Sequence, residues 1–408
     1  MKNINILILE SSLLFILVVT LFRSQFIENR IVILLTAILI LVFILLSFFP
    51  VKSLQFKNIR FFLLISILII IQGYILIKSV GDRKVGQGSV HDGIILTEVS
   101  YSALIKLQNP YSVNFGDVLN REKYFGDVPL WAVFHYPYSP MMFLVNMPLF
   151  YATDKLFGLV DMRITLVVFL FLTALIGALM VQGKILFLII FLLNPLFIPL
   201  LFYGANDIII LFFFFLLLYF LKIRRETLAT ITLGLATGTK LLISPLVPLY
   251  FLYIFLTRKG KTRSPIKQIG IFLLVNLAIY LPFFIWSRHD LMDDLLSPWF
   301  GKGVYTHPIA GFLGVGQILN RLGLISSDAS FPFFIFVVPF NAIFLVISFK
   351  ILKKSLNIQT FSIIFVFNLL LILAFSRIVQ TYYLAFISQI LLFSAFLMTS
   401  RNSGLQGK

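Results

Sequence analysis

Apolar runs of helical length alternate with short polar breaks along the whole chain. Runs at about 4–22, 31–50, 61–80, 161–181, 184–203, 206–222, 268–286, 331–350, 358–376 and 380–398 carry few charges. A bilayer core of ~30 Å needs about 20 helical residues at ~1.5 Å each. These runs have that length and lack the short alternation of an outer-membrane barrel. The pattern predicts an all-α polytopic membrane protein, one transmembrane domain over 1–408, with about eleven to thirteen helices. The first run has no small-residue cleavage site and is expected to stay as an anchor. No internal repeat and no separately folding soluble domain is visible.

The irregular stretches carry more information than the regular ones. Residues 81–137 form a long polar segment after the third span. Within it Ile95, Val99, Ala103 and Leu107 make an i, i+4 row, which predicts an amphipathic helix lying in the membrane interface and stopped at Asn109-Pro110. The run at 138–152 holds Pro140 and Pro148 and is short for a crossing. Between 138 and 184 two readings stand: a helix that begins and ends on one side, or one further crossing. Residues 227–256 have basic residues on both flanks, so the stretch should enter and return as a re-entrant-like hairpin with arms of about 14 residues, bent at Gly234, Gly238, Pro245 and Pro248. A second outer loop is expected at 287–308, and a partial helix at 309–323.

Composition agrees with the pattern: 60% of residues are hydrophobic and 12% charged, against about 25% charged in soluble domains. The formal charge of +17 would suit a nucleic-acid partner, but it is concentrated in short inter-span loops: Lys52/Lys57/Arg60, Lys222/Arg224/Arg225, Arg258 to Lys267, and Lys350/Lys353/Lys354. That is the positive-inside pattern. It predicts a multi-pass plasma-membrane protein with cytoplasmic N- and C-termini, an extracytoplasmic 81–137 segment, the bilayer as partner and no nucleic acid. Cysteine is absent, which excludes disulfides and thiolate metal sites. No Walker loop or Gly-rich dinucleotide turn is present. His91, His135, His289 and His307 lack close metal-ligand spacing, so no metal set is assigned.

Candidate chemistry centres on carboxylates at a membrane boundary, where they are costly unless solvated, paired or used. Asp92 reads either as a helix N-cap or as a general base. Glu98, six residues on, lies about 120° around the wheel from it, so the two do not share a face. Glu98 orients a hydroxyl, joins Asp92 on a cation, or faces water. Lys240, near the hairpin tip, either pairs with a carboxylate or holds a phosphate as a point charge. Asn206-Asp207 reads first as a helix cap, and Arg377 with Gln380, Tyr382 and Tyr383 as a phosphate fork or an interfacial belt. His135-Tyr136-Pro137-Tyr138 re-enters the membrane. Glu10, inside the first span, has no visible partner.

Four segments in order add a resemblance. His91-Asp92-Gly93, Thr97-Glu98 and Asn109-Pro110-Tyr111-Ser112 resemble the first external loop of integral membrane glycosyltransferases of the GT-C fold, most nearly bacterial and archaeal polyprenyl-phosphate-sugar-dependent mannosyltransferase-like proteins. His135 to Pro140 is similar to their aromatic-proline re-entry. Asn194-Pro195 with Gly204-Ala205-Asn206-Asp207, and Gly234 to Lys240 with Pro245, resemble two further junctions. Gln108 stands where that pattern has Gly, and an extra pair of spans precedes the loop. The resemblance implies a GT-C-like bundle and a hexosyltransferase. It would move mannose or another hexose from a polyprenyl-phosphate-linked donor to a lipid, glycan or protein acceptor at the outer face. It also implies inversion, with Asp92 as base. The candidate catalytic residues are then Asp92 and Glu98. The candidate substrate-binding residues are His91, Asn109, Tyr111, His135, Tyr136, Asn206, Asp207, Lys240, Arg377, Gln380 and Tyr382. No cofactor is assigned, and whether a divalent cation assists is left open. The alternatives are a glycan polymerase or ligase on the same carriers, with Asp290, Asp293 and Asp294 of the late loop in play, or a lipid or sugar flippase or transporter.

Overall fold

The structure is a computed structural model and describes residues 2–23, 28–48, 54–86, 90–121, 130–258, 263–300, 307–311, 314–331 and 333–399. It is an all-α protein. The chain runs through α1 (Lys2–Arg23), α2 (Arg30–Phe48), α3 (Leu54–Lys84), α4 (Asp92–Ile105), α5 (Gly116–Arg121), α6 (Leu130–Phe134), α7 (Met141–Phe157), α8 (Met162–Met180), α9 (Lys184–Leu192) and α10 (Ile198–Tyr203). It continues through α11 (Asp207–Lys222), α12 (Glu226–Thr237), α13 (Leu246–Thr257), α14 (Arg263–Trp286), α15 (Arg288–Phe300), α16 (Val315–Arg321), α17 (Phe334–Lys354), α18 (Ile358–Ala374) and α19 (Thr381–Thr399). Among the described residues the sole ladder is a two-residue parallel one, β1 (Ala310–Gly311) on β2 (Ile378–Val379).

Among the described residues four helical stretches are long and apolar enough to cross a membrane: Asn58–Lys84, Met162–Met180, Pro265–Trp286 and Ile335–Lys354. Only 11% of the apolar window is buried inside the protein in each of the last two. A helix that apolar with so little protein cover needs an apolar surround, which fits a bilayer. Shorter apolar helices include Ile358–Ala374 and Thr381–Leu397, which pack against each other and against α11 (Asp207–Lys222).

Contacts between helix termini sort the bundle into two ends. At one end Lys222 Nζ donates to the Met180 carbonyl at 2.9 Å, and Arg258 pairs with Glu226 at 2.9 Å. At the other end Lys78 meets Glu28 at 3.2 Å, and Arg83 meets Glu98 at 2.8 Å and Asp161 at 3.4 Å. The basic loops at 222–225 and 258 thus share one end of the bundle. α12 and α13 are antiparallel arms of 12 residues each, about 18 Å long. Their far ends are joined by the Arg258–Glu226 pair, and their tip holds Lys240 at the other end.

Three differences from the sequence reading have clear causes. The apolar run at 184–203 is two helices, because Pro195 has no N–H to donate and the Asn194 side chain accepts the Leu196 N–H at 2.9 Å instead. α4 covers the expected amphipathic helix but does not present a polar face to solvent. Ile95, Thr97 and Glu98 are all buried, since α7 and α8 pack against it and Glu98 is neutralised within the protein. Leu107, assigned to its apolar row, lies beyond the helix at φ 57° and is 84% exposed. Glu10 does have a partner: Arg60 of α3, at 3.2 Å, with both side chains under a tenth exposed.

Candidate functional site

The elements meeting at the end opposite the Lys222 and Arg258 contacts enclose a cleft of about 240 Å³. The N-terminus of α4 supplies His91 and Asp92, and the segment between α6 and α7 supplies Tyr138. The tip of the α12–α13 hairpin supplies Lys240. The start of α19 supplies Gln380, Tyr382 and Tyr383, with Trp131, Pro137, His307 and Ile378 closing the rim. Asp92 and Lys240, 148 positions apart in sequence, therefore face one space.

Close backbone approach makes this possible. His91 N donates to the Tyr203 carbonyl at 3.0 Å, docking the start of α4 on the corner between α10 and α11. That corner turns at Gly204, φ +119°, where a Cβ would lie 2.4 Å from Ile94 Cδ1. Gly93 is equally confined: a Cβ there would fall 2.5 Å from the Tyr138 hydroxyl. On the hairpin side, Ser139 N donates to Thr239 O at 3.2 Å and Met141 N to Gly238 O at 2.8 Å, so the re-entering segment is stitched to the Lys240 turn.

Asp92 is 4% exposed and begins α4, while His91 occupies the cap position with extended backbone. His91 Nδ1 lies 2.6 Å from Asp92 Oδ1. The Gly93 N–H, 2.7 Å away, donates to the same carboxylate oxygen. The Gly93 N–H also donates to that ring nitrogen, at 3.0 Å. Burial pushes the Asp92 carboxyl up, but His91 and the Gly93 N–H outweigh it and hold the group below the ordinary aspartate range. The His91 ring is wedged edge-on between Tyr203 and Tyr382, with centroids 5.6 and 5.4 Å away.

Lys240 is 4% exposed and donates to Asp207 Oδ1 at 2.8 Å and Asn206 Oδ1 at 3.2 Å. The rings of Tyr138, Tyr382 and Tyr383 surround its ammonium at 5.5, 5.2 and 5.2 Å. Of the two sequence readings of this residue the structure shows the pairing with a carboxylate, and Lys240 also lines the cleft. Asp207 Oδ2 is buried beside it with no hydrogen-bond partner among the described residues.

His307 reaches the rim because Arg377 holds its backbone. The guanidinium donates to the carbonyls of His307, Ser327 and Ala329, and β1 pairs with β2 just beyond. His307 Nδ1 sits 2.7 Å from the Pro308 carbonyl, which only accepts, so Nδ1 carries the proton. Burial pushes this imidazole below its ordinary value, which leaves it neutral near pH 7.

The other candidates sit behind the cleft. Glu98 faces away from it, accepting both Arg83 guanidinium nitrogens at 3.0 and 2.8 Å and the Met162 N–H at 2.7 Å. Burial pushes its carboxyl up against the pull of Arg83. Glu98 thereby ties α3, α4 and α8 together. Asn109 accepts the Tyr111 N–H at 3.1 Å, and Tyr111 donates to the Tyr138 carbonyl at 2.9 Å from a nest of Tyr136, Phe143 and Phe283 rings. His135 Nδ1 contacts Asp294 Oδ1 at 2.9 Å, while Asp294 Oδ2 accepts the Tyr136 N–H at 2.9 Å. Burial pushes the Asp294 carboxyl up to about 6 despite His135. Arg377 spends its donors on carbonyls and lies outside the lining. Among the late-loop acids, Asp294 clamps the re-entry and Asp290 accepts from Ser112.

Sequence reasoning gave no role to Trp131, His307, Arg83 or Asp161. Only the last two left a signal, as charges next to apolar spans. Among the described residues no group of three or more histidine and carboxylate side chains is arranged to hold a metal ion. No protein-family model, no curated protein and no solved structure matches this chain.

Proposed function

We propose that the chain is an integral membrane glycosyltransferase with a GT-C-like bundle. It would transfer mannose or another hexose from a polyprenyl-phosphate donor to a lipid, glycan or protein acceptor at the outer face of the plasma membrane. The observation that carries the reading is the shared cleft. It has an ionised, histidine-oriented carboxylate on one wall and a lysine with aromatic neighbours on another. The bundle's division into a basic end and an end holding the cleft supports cytoplasmic termini, by the positive-inside rule. An α12–α13 hairpin of ~18 Å stops short of a ~30 Å core, so the space above its tip is recessed.

In this reading the acceptor hydroxyl attacks the anomeric carbon from the side opposite the phosphate. Asp92 takes the hydroxyl proton as the new C–O bond forms. The old bond to phosphate oxygen breaks and its electron pair leaves with the polyprenyl phosphate, so the sugar carbon is inverted. His91 keeps the carboxylate aimed. Lys240 has two of its three protons on Asn206 and Asp207, which leaves one for the departing phosphate. Glu98, Asn109, Tyr111, His135, Tyr136 and Arg377 support the walls.

Profiling lipid-linked sugars in a deletion strain and its complement tests the reading. A polyprenyl-phosphate sugar that accumulates in the deletion, with loss of one glycosylated product restored by the complement, is expected. Identical profiles would overturn it.

A further inference from the structure

A second cavity lies at the opposite end of the bundle. It measures about 690 Å³ and opens where the C-termini of α8, α11 and α13 meet the start of α18. Its mouth carries Lys222, Arg224 and Arg258 with the amide of Asn357, and its inner wall is formed by Tyr253 and Leu397.

The charges there are only partly used. Glu226 answers Arg258, and Lys222 donates to a carbonyl. Arg224 is exposed and makes no ion pair among the described residues, although the chain holds it at φ 60° in the α11–α12 turn. A cationic mouth over an apolar wall between membrane-crossing helices matches a ligand with an anionic head and a hydrocarbon body. A free anion would gain nothing from Tyr253 and Leu397. The cavity is separated from the Asp92 cleft by the length of α11, 16 residues or about 24 Å, so it does not belong to that site.

We propose that this cavity is a binding site for an anionic phospholipid of the cytoplasmic leaflet, with the headgroup phosphate held by Arg224 and Lys222 and an acyl chain along Tyr253 and Leu397. The assignment rests on the reading of the apolar helices as membrane spans, but not on glycosyl transfer.

The test uses the full-length protein in neutral detergent, followed by thermal unfolding and native mass spectrometry. The titrants are phosphatidylglycerol, phosphatidylcholine and inorganic phosphate. Phosphatidylglycerol should raise the midpoint and leave bound lipid on the protein. Phosphatidylcholine and phosphate should do neither. Arg224→Gln should weaken the phosphatidylglycerol effect about tenfold, the loss of one charge-assisted contact. Lys267→Gln, an exposed charge on α14 outside the cavity lining, should leave it unchanged. An equal response to phosphatidylcholine overturns the proposal. So does a full response to inorganic phosphate, or an equal loss in Lys267→Gln, which would indicate bulk charge. Failure of sugar transfer in a separate assay would leave these lipid results intact, so the two readings fail independently.

Discussion

Replacing Asp207 with Asn removes one charge and almost no volume, so it isolates the electrostatics at the floor of the cleft. Asp207 and Lys240 are 1% and 4% exposed, with 2.8 Å between their charged atoms. Removing one partner of a buried pair costs about 3–5 kcal/mol, because the other is left as an uncompensated charge. Here two features stay in place: the Asn206 carbonyl at 3.2 Å and three tyrosine rings within 5.5 Å. Cation–π contacts contribute about 0.5–2 kcal/mol at partly desolvated sites. The expected loss is therefore near the lower end, about 3 kcal/mol. Reversible unfolding in mixed micelles with rising SDS would measure it. Lys240→Met should cost less in the Asp207→Asn background than in wild type, because the orphaned charge goes with it. A loss under about 1 kcal/mol, or strict additivity in that cycle, would refute the argument. It would mean that water screens the pair and that the cleft floor is open.

Asp294 gives a pH signature. Its folded-state value of about 6 exceeds an unfolded value of about 3.9, so the folded state binds more protons. Its stabilisation is complete below pH ~4 and is lost as pH rises through ~6, up to about 3 kcal/mol, and Asp294→Asn should flatten that slope in acid-to-neutral unfolding titrations. Gly204→Ala meets both a φ of +119° and Ile94 at 2.4 Å, and should destabilise by about 1–3 kcal/mol or more in the same unfolding assay. Glu98→Gln should cost about 2 kcal/mol, since Arg83 keeps Asp161, and change turnover less than threefold. A hundredfold fall in turnover with intact fold would restore Glu98 as a catalytic residue.

The sequence carried the local features well. Helix existence followed from run length, because a chain this apolar has few other ways to satisfy its backbone. The bend around Lys240 followed from basic residues on both flanks of 227–256. What it could not carry was the choice of partner across distance. Glu98 and Asp92 look alike in sequence, and their roles diverge because Arg83 and Met162 N–H, 15 behind and 64 ahead, close on one and not on the other. Arg377 read as a phosphate fork from its position at an outer turn, yet the carbonyls it meets belong to residues 48 to 70 positions away. His307 had no motif around it at all and reaches the cleft only through that guanidinium and a two-residue ladder.

The central claim is that Asp92 removes the acceptor's proton. The direct measurement is single-turnover sugar transfer from polyprenyl-phosphate donors by purified wild type and Asp92→Asn, with donor binding measured alongside. The wild type should transfer with inversion. It should hold its rate as pH falls to the ordinary aspartate range, because the carboxyl stays ionised there. The variant should bind donor and lose about 10²- to 10⁴-fold in rate. Equal turnover by the variant, with an equal pH profile, would contradict the account.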